Sequence, residues 1–504
     1  MFFEHNKFSF LLTVTLAFAF GIFYRPDQDR SRDILKGLST IIGKSILLSS
    51  SSNPVRIAIG TNVCVDLIVP VKDVLTITVD DKPQDTAIAS SISDINNVFL
   101  HHFAAGAAGE RSCSSSSVFD SLVTKAQQLS SARNSLGGNA AIMARKLSNL
   151  GAEVYLSGNV GPVAASLLPS SVHTLTSSSS TNDEVHLILE YPMGLTMGQY
   201  TASRANRFIL TADLANADMS DPLRTLISTA DKENIHTLVL SGLHMLEPLS
   251  KDNREQRLLI IKDLLLNRQG KYLVHIELAS SADKEWTALV ANTLFPLADS
   301  IGFNEVEAAF LFEAIGGIYS GKNMQNSTSG VGSRDEIVSS MPRITSISSL
   351  LRYIMEQYSS ISRIHYHSLV LHMIAHKDSA HQHKWNHPRR AVAAGSLTAT
   401  LEACGTTDAS TLFNGDPELL YSISPSRINI ADPRPKADGT KGPSEMVASL
   451  SQGEPVASWS WESTNSETIV YAAAPVAACR HPKSTVGLGD TISSAGLVSD
   501  IFIV

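Results

Sequence analysis

The feature that most limits how this chain can fold is a recurring alternation. Short apolar, β-branched runs are separated by stretches of helical periodicity. The runs include Arg56-Ile57-Ala58-Ile59-Gly60, Val154-Tyr155-Leu156, Val185–Leu189, Thr237–Leu240 and Leu273–Ile276. Helical spacing runs from Asn139 to Leu150 and from Arg254 to Leu266. Continuous apolar runs suit strands covered on both faces, so the alternation predicts an α/β chain with a mostly parallel sheet between helices. In such sheets ligands collect beyond the carboxyl ends of the strands, and polar residues there carry the most weight. At 504 residues, with 43% hydrophobic and 17% charged residues, the chain can bury a large core. It would do so as one big domain with a lid, or as two domains. A formal net charge of -8 argues against a dedicated nucleic-acid binder.

The amino terminus carries a separate message. Phe8 to Tyr24 is uncharged and almost wholly apolar, with Lys7 before it and Arg25-Pro26-Asp27 after it. Residues 1–24 therefore read as a signal peptide, cleaved after Ala17-Phe18-Ala19, or as a membrane anchor through residues 8–24. Residues 25–54, with their charges and the run Ser49 to Ser52, read as a linker. Entry into the secretory pathway is expected, with the body anchored or lumenal in the endoplasmic reticulum, or secreted. Four cysteines are too few for a disulfide scaffold; Cys404–Cys479 is the pair to test for a bridge, and buried free thiols are the alternative. Asn326-Ser327-Thr328 is a glycosylation sequon in a polar stretch. Polar insertions are expected at Ser114–Ser117, Ser177–Ser180, Gly316–Met341 and Ser424–Pro443, and the His-rich stretch His376–Arg390 reads as a solvated loop. Irregular spacing of His381, His383 and His387 disfavours zinc binding there.

Several short motifs carry chemistry. Thr485-Val486-Gly487-Leu488-Gly489-Asp490-Thr491 places two glycines and an aspartate at the start of a small-residue helical segment. The glycines let backbone amides approach an anion, while Asp490 would repel one unless it serves as a base toward a hydroxyl. That pairing suggests phosphoryl transfer to an alcohol, although the same pattern occurs in ordinary helix starts. Gly137-Gly138-Asn139 ends a turn and opens a helix; Asn139 can both donate to and accept from a hydroxyl, or simply cap the helix. Asp66 follows the first strand and can accept sugar hydroxyls or cap a turn. Glu277, in His275-Ile276-Glu277, and Glu307, in Asn304-Glu305-Val306-Glu307, sit after strands. Converging carboxylates there suit Mg2+, with a salt bridge and a first-turn helix position as the ordinary readings. Arg207 is a cation in an apolar neighbourhood, fit for a phosphate or a nearby acid. His365 and His367 alternate on one strand face, as in a satisfied, half-buried sheet.

Eight of these stretches fall in one consistent order: GGNA at 137–140, EVHLILEY at 184–191, ANRF at 205–208, LSGLHM at 240–245, HIELAS at 275–280, NEVE at 304–307, RIHYH at 363–367 and TVGLGD at 485–490. In these the chain resembles the ADP-dependent glucokinases of the ribokinase-like superfamily, particularly the animal form with a hydrophobic amino-terminal segment. The resemblance implies a ribokinase-like three-layer α/β/α sandwich over residues 55–504, with a smaller lid from segments near 67–112 and 172–210. It implies D-glucose and ADP as partners and Mg2+ as cofactor; a monomer is expected. By it Asp490 is the base on the sugar 6-hydroxyl, and Gly487 and Gly489 line the anion hole. Glu277 and Glu307, with Asp490, organise Mg2+ largely through water. Asp66, Glu110, Gly138, Asn139 and Gln199 resemble glucose contacts, Glu110 being the acid that the related phosphofructokinases lack. Arg207 resembles a phosphate contact and Val486 part of the adenine wall. The competing expectations are a kinase of the same fold using ATP or another sugar, and a binding protein that has lost catalysis.

Overall fold

The computed structural model describes residues 28–42 and 54–501, apart from 79, 87, 107–108, 176–181, 204, 214–215, 282, 320–330, 339–342, 369, 379–384, 415–419, 423–454, 463–466, 480–481 and 484–486. Its centre is a 10-stranded sheet. From one edge the strands Val172–Leu175, Glu153–Gly158, Arg56–Thr61, Thr237–Leu240, Leu273–Glu277, Ser300–Asn304 and Arg363–His367 run parallel to their neighbours. Three antiparallel strands, Leu371–Asp378, Thr468–Pro475 and Ala457–Glu462, extend the other edge. The first strands are apolar without alternation because helices cover both faces. Ile57, Ala58, Ile59, Leu238, Val239 and Leu240 are all fully buried.

A second, six-stranded sheet joins Ile88–Ala89, Gly109–Cys113, Asn206–Thr211, Val185–Tyr191, Cys64–Pro70 and Arg133–Gly137. Its own core is aromatic, with Phe99, Phe103, Tyr191 and Phe208 in edge and tilted contacts. Two runs read from the sequence as strands thus go to different sheets. Val185–Leu189 belongs to the smaller sheet, and Asp66 lies within a strand of that sheet, not in the loop after the first strand.

The structure corrects other expectations. Gln28–Ile42, expected within the linker, is a helix whose Ile34, Leu35, Leu38 and Ile42 are buried against the helix Pro388–Cys404 and its surroundings. Ser116–Gln127, overlapping an expected polar loop, is a helix burying Phe119 and Leu122. The stretch His376–Arg390 is no solvated loop over its described part: it ends one strand, buries Trp385 and begins the helix Pro388–Cys404. His365 and His367 are wholly buried, not half-buried, and both ring nitrogens of His365 lack a hydrogen-bond partner among the described residues. Residues 8–24, Asn326, His381 and His383 lie outside the described residues. No helix among those described is long and apolar enough to cross a membrane.

Cys404 and Cys479 form a disulfide, with Cα atoms 5.4 Å apart and a sequence separation of 75. Closing so long a loop restricts the unfolded chain, so Cys479→Ser should lower unfolding free energy by about 2–4 kcal/mol. Denaturant titration of the variant against the oxidised parent checks this, and equal midpoints would refute it.

Candidate functional site

The carboxyl ends of the central strands bring the sequence motifs together. The strand Arg56–Thr61 leads into Asn62, Leu273–Glu277 ends on Glu277, and Ser300–Asn304 leads into the helix bearing Glu307. Above them lies the helix Leu488–Ile501, with Asp490 in its first turn. Gly487 precedes this helix at φ 69, a left-handed conformation that disfavours a side chain, and so turns the chain into the helix. Thr491 N donates to Gly487 O at 3.0 Å, closing the first turn. The helix N-terminus then faces the same space as Asp490, with its amide dipoles available to an anion. Val486 lies outside the described residues.

A second turn meets the first. Gly138 has φ 81 and ψ 132, and a Cβ there would lie 2.6 Å from Asn62 O. That close approach lets Asn62 O accept from Ala140 N at 3.1 Å and hold the start of the helix Asn139–Asn149. Asn62 Nδ2 donates to Asn139 Oδ1 at 3.3 Å, and Asn139 Nδ2 donates to Asp490 Oδ1 at 2.8 Å. The last bond joins positions 351 residues apart. Burial pushes the Asp490 carboxyl up to about 7; the Asn139 bond opposes this, while Glu277 and Glu402 add to it.

Glu277 and Glu307 are held differently. A Cβ at Gly302, its register partner, would overlap the Glu277 carboxylate, so the glycine makes room for it. Ser493 Oγ donates to Glu277 Oε1 at 2.8 Å. On the other oxygen a polar chain ends: Arg363 Nη1 donates to Ser300 Oγ at 3.2 Å, Ser300 Oγ lies 2.9 Å from His275 Nδ1, and His275 Nε2 lies 3.0 Å from Glu277 Oε2. His275 thus spans Ser300 and Glu277, each of its ring nitrogens within hydrogen-bonding distance of one of them, which fixes the ring between the two. Burial, with the charge of Arg363, keeps His275 neutral, its pKa well below the ordinary value. Burial nevertheless pushes Glu277 up to about 8, against the Ser493 bond and Arg363.

Glu307 completes a capping box. Its Oε2 accepts from Asn304 N at 2.9 Å while Asn304 Oδ1 accepts from Val306 N and Glu307 N, each at 2.9 Å. The structural and functional readings coincide here, since one oxygen caps the helix and the other is left over. Burial pushes Glu307 up to about 8, the Asn304 amide opposes, and Glu277, Asp490 and Glu305 push further. The three acids thus feel one another's charge. Among the described residues no lysine or arginine forms an ion pair with any of them. Buried, mutually repelling carboxyls of this kind are the complement of a hard divalent cation that keeps its waters.

On the side of the smaller sheet, Asp66 is buried and receives Cys64 Sγ at 3.8 Å. Burial raises its pKa, opposed by His186, Cys64, Arg207 and Arg145. Glu110 is exposed on one side of its strand, yet desolvation raises its carboxyl too, with His186 and Arg207 pulling down and Asp213 and Asp66 pushing up. Asp66, Glu110 and Arg207 therefore share one electrostatic neighbourhood. Gln199 stands in a tight hairpin, its Nε2 donating to Tyr200 Oη at 2.9 Å. The structure adds residues that the sequence reading missed. His186 Nε2 lies 2.7 Å from Asp213 Oδ1, and Asn216 bridges Asp213 and Val63 N. His186 lies within the EVHLILEY stretch, but its partner at 213 becomes apparent only when two strands pair.

The family described as ADP-specific Phosphofructokinase/Glucokinase conserved region matches residues 55–499. The chain is 32% identical over 453 residues to the ADP-dependent glucokinase of Bos taurus, covering 88% of this chain and 84% of that protein. It is 30% identical over 466 residues to the probable ADP-dependent glucokinase of Caenorhabditis elegans, covering 89% and 85%. Among solved structures it is similar to an ADP-dependent kinase in complex with fructose-6-phosphate and ADPbetaS, with a TM-score of 0.62 at 16% identity, covering 94% of this chain and 97% of that one. That likeness is one of fold: a ribokinase-like α/β/α sandwich with a smaller second sheet.

Proposed function

The chain belongs to the ADP-specific phosphofructokinase/glucokinase family, and from that premise we propose that it transfers the terminal phosphoryl group of ADP to the 6-hydroxyl of D-glucose. The products are AMP, D-glucose 6-phosphate and a proton. The observation that carries the reading is the 2.8 Å bond from Asn139 to Asp490, which sets a base against the turn expected to hold the sugar. Asp490 takes the proton of the 6-hydroxyl as its oxygen attacks the β-phosphorus, and the bond from that phosphorus to the AMP oxygen breaks. A carboxyl raised to about 7 is well matched to this exchange near neutrality. Gly487, Gly489 and the amides of the following turn receive the negative charge that develops on the moving group. Glu277, Glu307 and Asp490 are the residues that would hold Mg2+, largely through water, and the ion when bound neutralises charge on the phosphate oxygens. Arg207, on the smaller sheet, would reach a phosphate once the two sheets close on the substrates.

Asp66, Glu110, Gly138, Asn139 and Gln199 form the proposed sugar side. Glu110→Gln should raise the KM for glucose about tenfold or more with a smaller change in kcat, since it removes a charge-assisted hydrogen bond to the sugar. An unchanged KM would remove Glu110 from the site. The decisive assay follows AMP formation with glucose and ADP, beside fructose 6-phosphate and ATP. AMP with glucose supports the reading, whereas ADP release from ATP would replace the donor and activity confined to another sugar would replace the acceptor. The Cys404–Cys479 bridge suits an oxidising compartment and supports a lumenal position for the body. Protease protection of the full chain in microsomes tests that placement.

A further inference from the structure

The sugar side contains a ligand set that phosphoryl transfer to a hydroxyl does not call for. Cys64 and Asp66 are two apart on one strand, so both side chains stand on the same face. His186, on the neighbouring parallel strand, is the register partner of Asp66. Sγ of Cys64, a carboxylate oxygen of Asp66 and a ring nitrogen of His186 all lie within 4.8 Å of one another, and all three residues are buried. On the opposite flank Gly137 pairs with Cys64, and a Cβ there would overlap the Asp66 carboxylate and lie 2.7 Å from Cys64 Sγ. The absent side chain leaves a cradle for two of the three donors, the Asp66 carboxylate and the Cys64 thiol.

We propose that Cys64, Asp66 and His186 form a transition-metal site, of the kind that Zn2+ takes, at the floor of the sugar cleft. A thiolate, an imidazole and a carboxylate are a mixed soft and borderline set that selects Zn2+ over Mg2+, and three protein ligands leave a fourth position open to water. His186 Nε2 is engaged by Asp213 at 2.7 Å, so Nδ1 is its coordinating atom and Asp213 is the outer carboxylate that orients the ring. Asn216, at 3.3 Å, steadies Asp213 in turn. Metal entry forms metal–sulfur, metal–nitrogen and metal–oxygen bonds in place of waters on the ion, and releases the Cys64 thiol proton together with any proton carried on His186 Nδ1. Because the thiol binds as a thiolate, metal binding strengthens as pH rises. This site is separate from the acids Glu277, Glu307 and Asp490. Because Asp66 is shared, Zn2+ and glucose would exclude each other; that last consequence rests on the sugar-site reading above.

The test uses the full chain with Co2+ as a spectroscopic probe and Zn2+ as its competitor. The expected result is a thiolate-to-cobalt charge-transfer band that Zn2+ abolishes, kept in Cys113→Ser and lost in Cys64→Ser. Asp213→Asn should weaken Co2+ binding about 10–100-fold without removing a ligand. Absence of the band in the parent, or its persistence in Cys64→Ser, would overturn the proposal. In parallel, Zn2+ should inhibit phosphorylation at saturating Mg2+ competitively with glucose in the parent and at least about tenfold less potently in Cys64→Ser. A cobalt band that glucose leaves untouched would keep the metal site and instead count against Asp66 as a sugar contact.

Discussion

Asp490→Asn is expected to lower kcat about 10²–10⁴-fold while circular dichroism and nucleotide binding match the parent. The asparagine is nearly isosteric and can still meet Asn139 across the 2.8 Å contact with its amide turned, so the fold loses little. What disappears is the capacity to accept the hydroxyl proton. The same argument sets the pH profile. A base with its pKa raised to about 7 is fully available only above that value, so the parent's kcat/KM should rise with pH through the region near 7, and the residual rate of the variant should not. Turnover by Asp490→Asn close to that of the parent would refute the assignment of Asp490 as the base.

The second large effect is on stability. Burial lifts Glu277 and Glu307 to about 8 and Asp490 to about 7, whereas in the unfolded chain such groups titrate near 4. The folded protein therefore binds more protons than the unfolded one between these values, and stability must fall as pH rises through the window. Below about pH 6.5 neutral buried histidines act the other way: His367 and His372, lowered by burial to about 4 and about 3, resist folding when protonated. The clean measurement thus lies between about pH 6.5 and 8, where one such carboxyl removes about 2 kcal/mol. His186, raised well above the ordinary value, contributes in the same direction and through a different site. Melting temperatures in chelator should fall across this range. With Mg2+ the decline should largely vanish, because the cation replaces the protons, and Glu277→Gln should remove its own share without Mg2+. A decline that Mg2+ leaves unchanged would show that these acids do not form the cation site.

What could be read from the sequence was local. Glycines at 138 and 487, acids ending strands at 277 and opening a helix at 307, and the alternation of strands with helices each announce themselves within a few residues. The parallel core followed from that alternation. The antiparallel edge did not, because the direction of Leu371–Asp378 and Thr468–Pro475 is set by what they pair with and by nothing within either segment. Gln28–Ile42 had a signal in the spacing of Ile34, Leu35, Leu38 and Ile42, but charges at Asp27, Arg30, Arg32 and Asp33 and the serine run after it made the region look like a tether. The environment of Asp66 was the least legible part. Its partners His186 and Asp213 lie more than a hundred residues away, and the cradle at Gly137 exists only once two strands are in register.

The bond between Asn139 and Asp490 also ties an early part of the chain to a late one. The helix carrying Asp490 is buried between Asn139–Asn149 and Pro388–Cys404, so its docking completes packing that was laid down hundreds of residues earlier. The strands of the smaller sheet and of the parallel core, and with them most of the proposed sugar side, all precede residue 490 in the chain. By the proposed mechanism, a chain without the helix Leu488–Ile501 has no base at the reacting hydroxyl. Under that mechanism the contacts to the sugar and the base that acts on it come from distant parts of the chain, and contacts without the base consume no nucleotide.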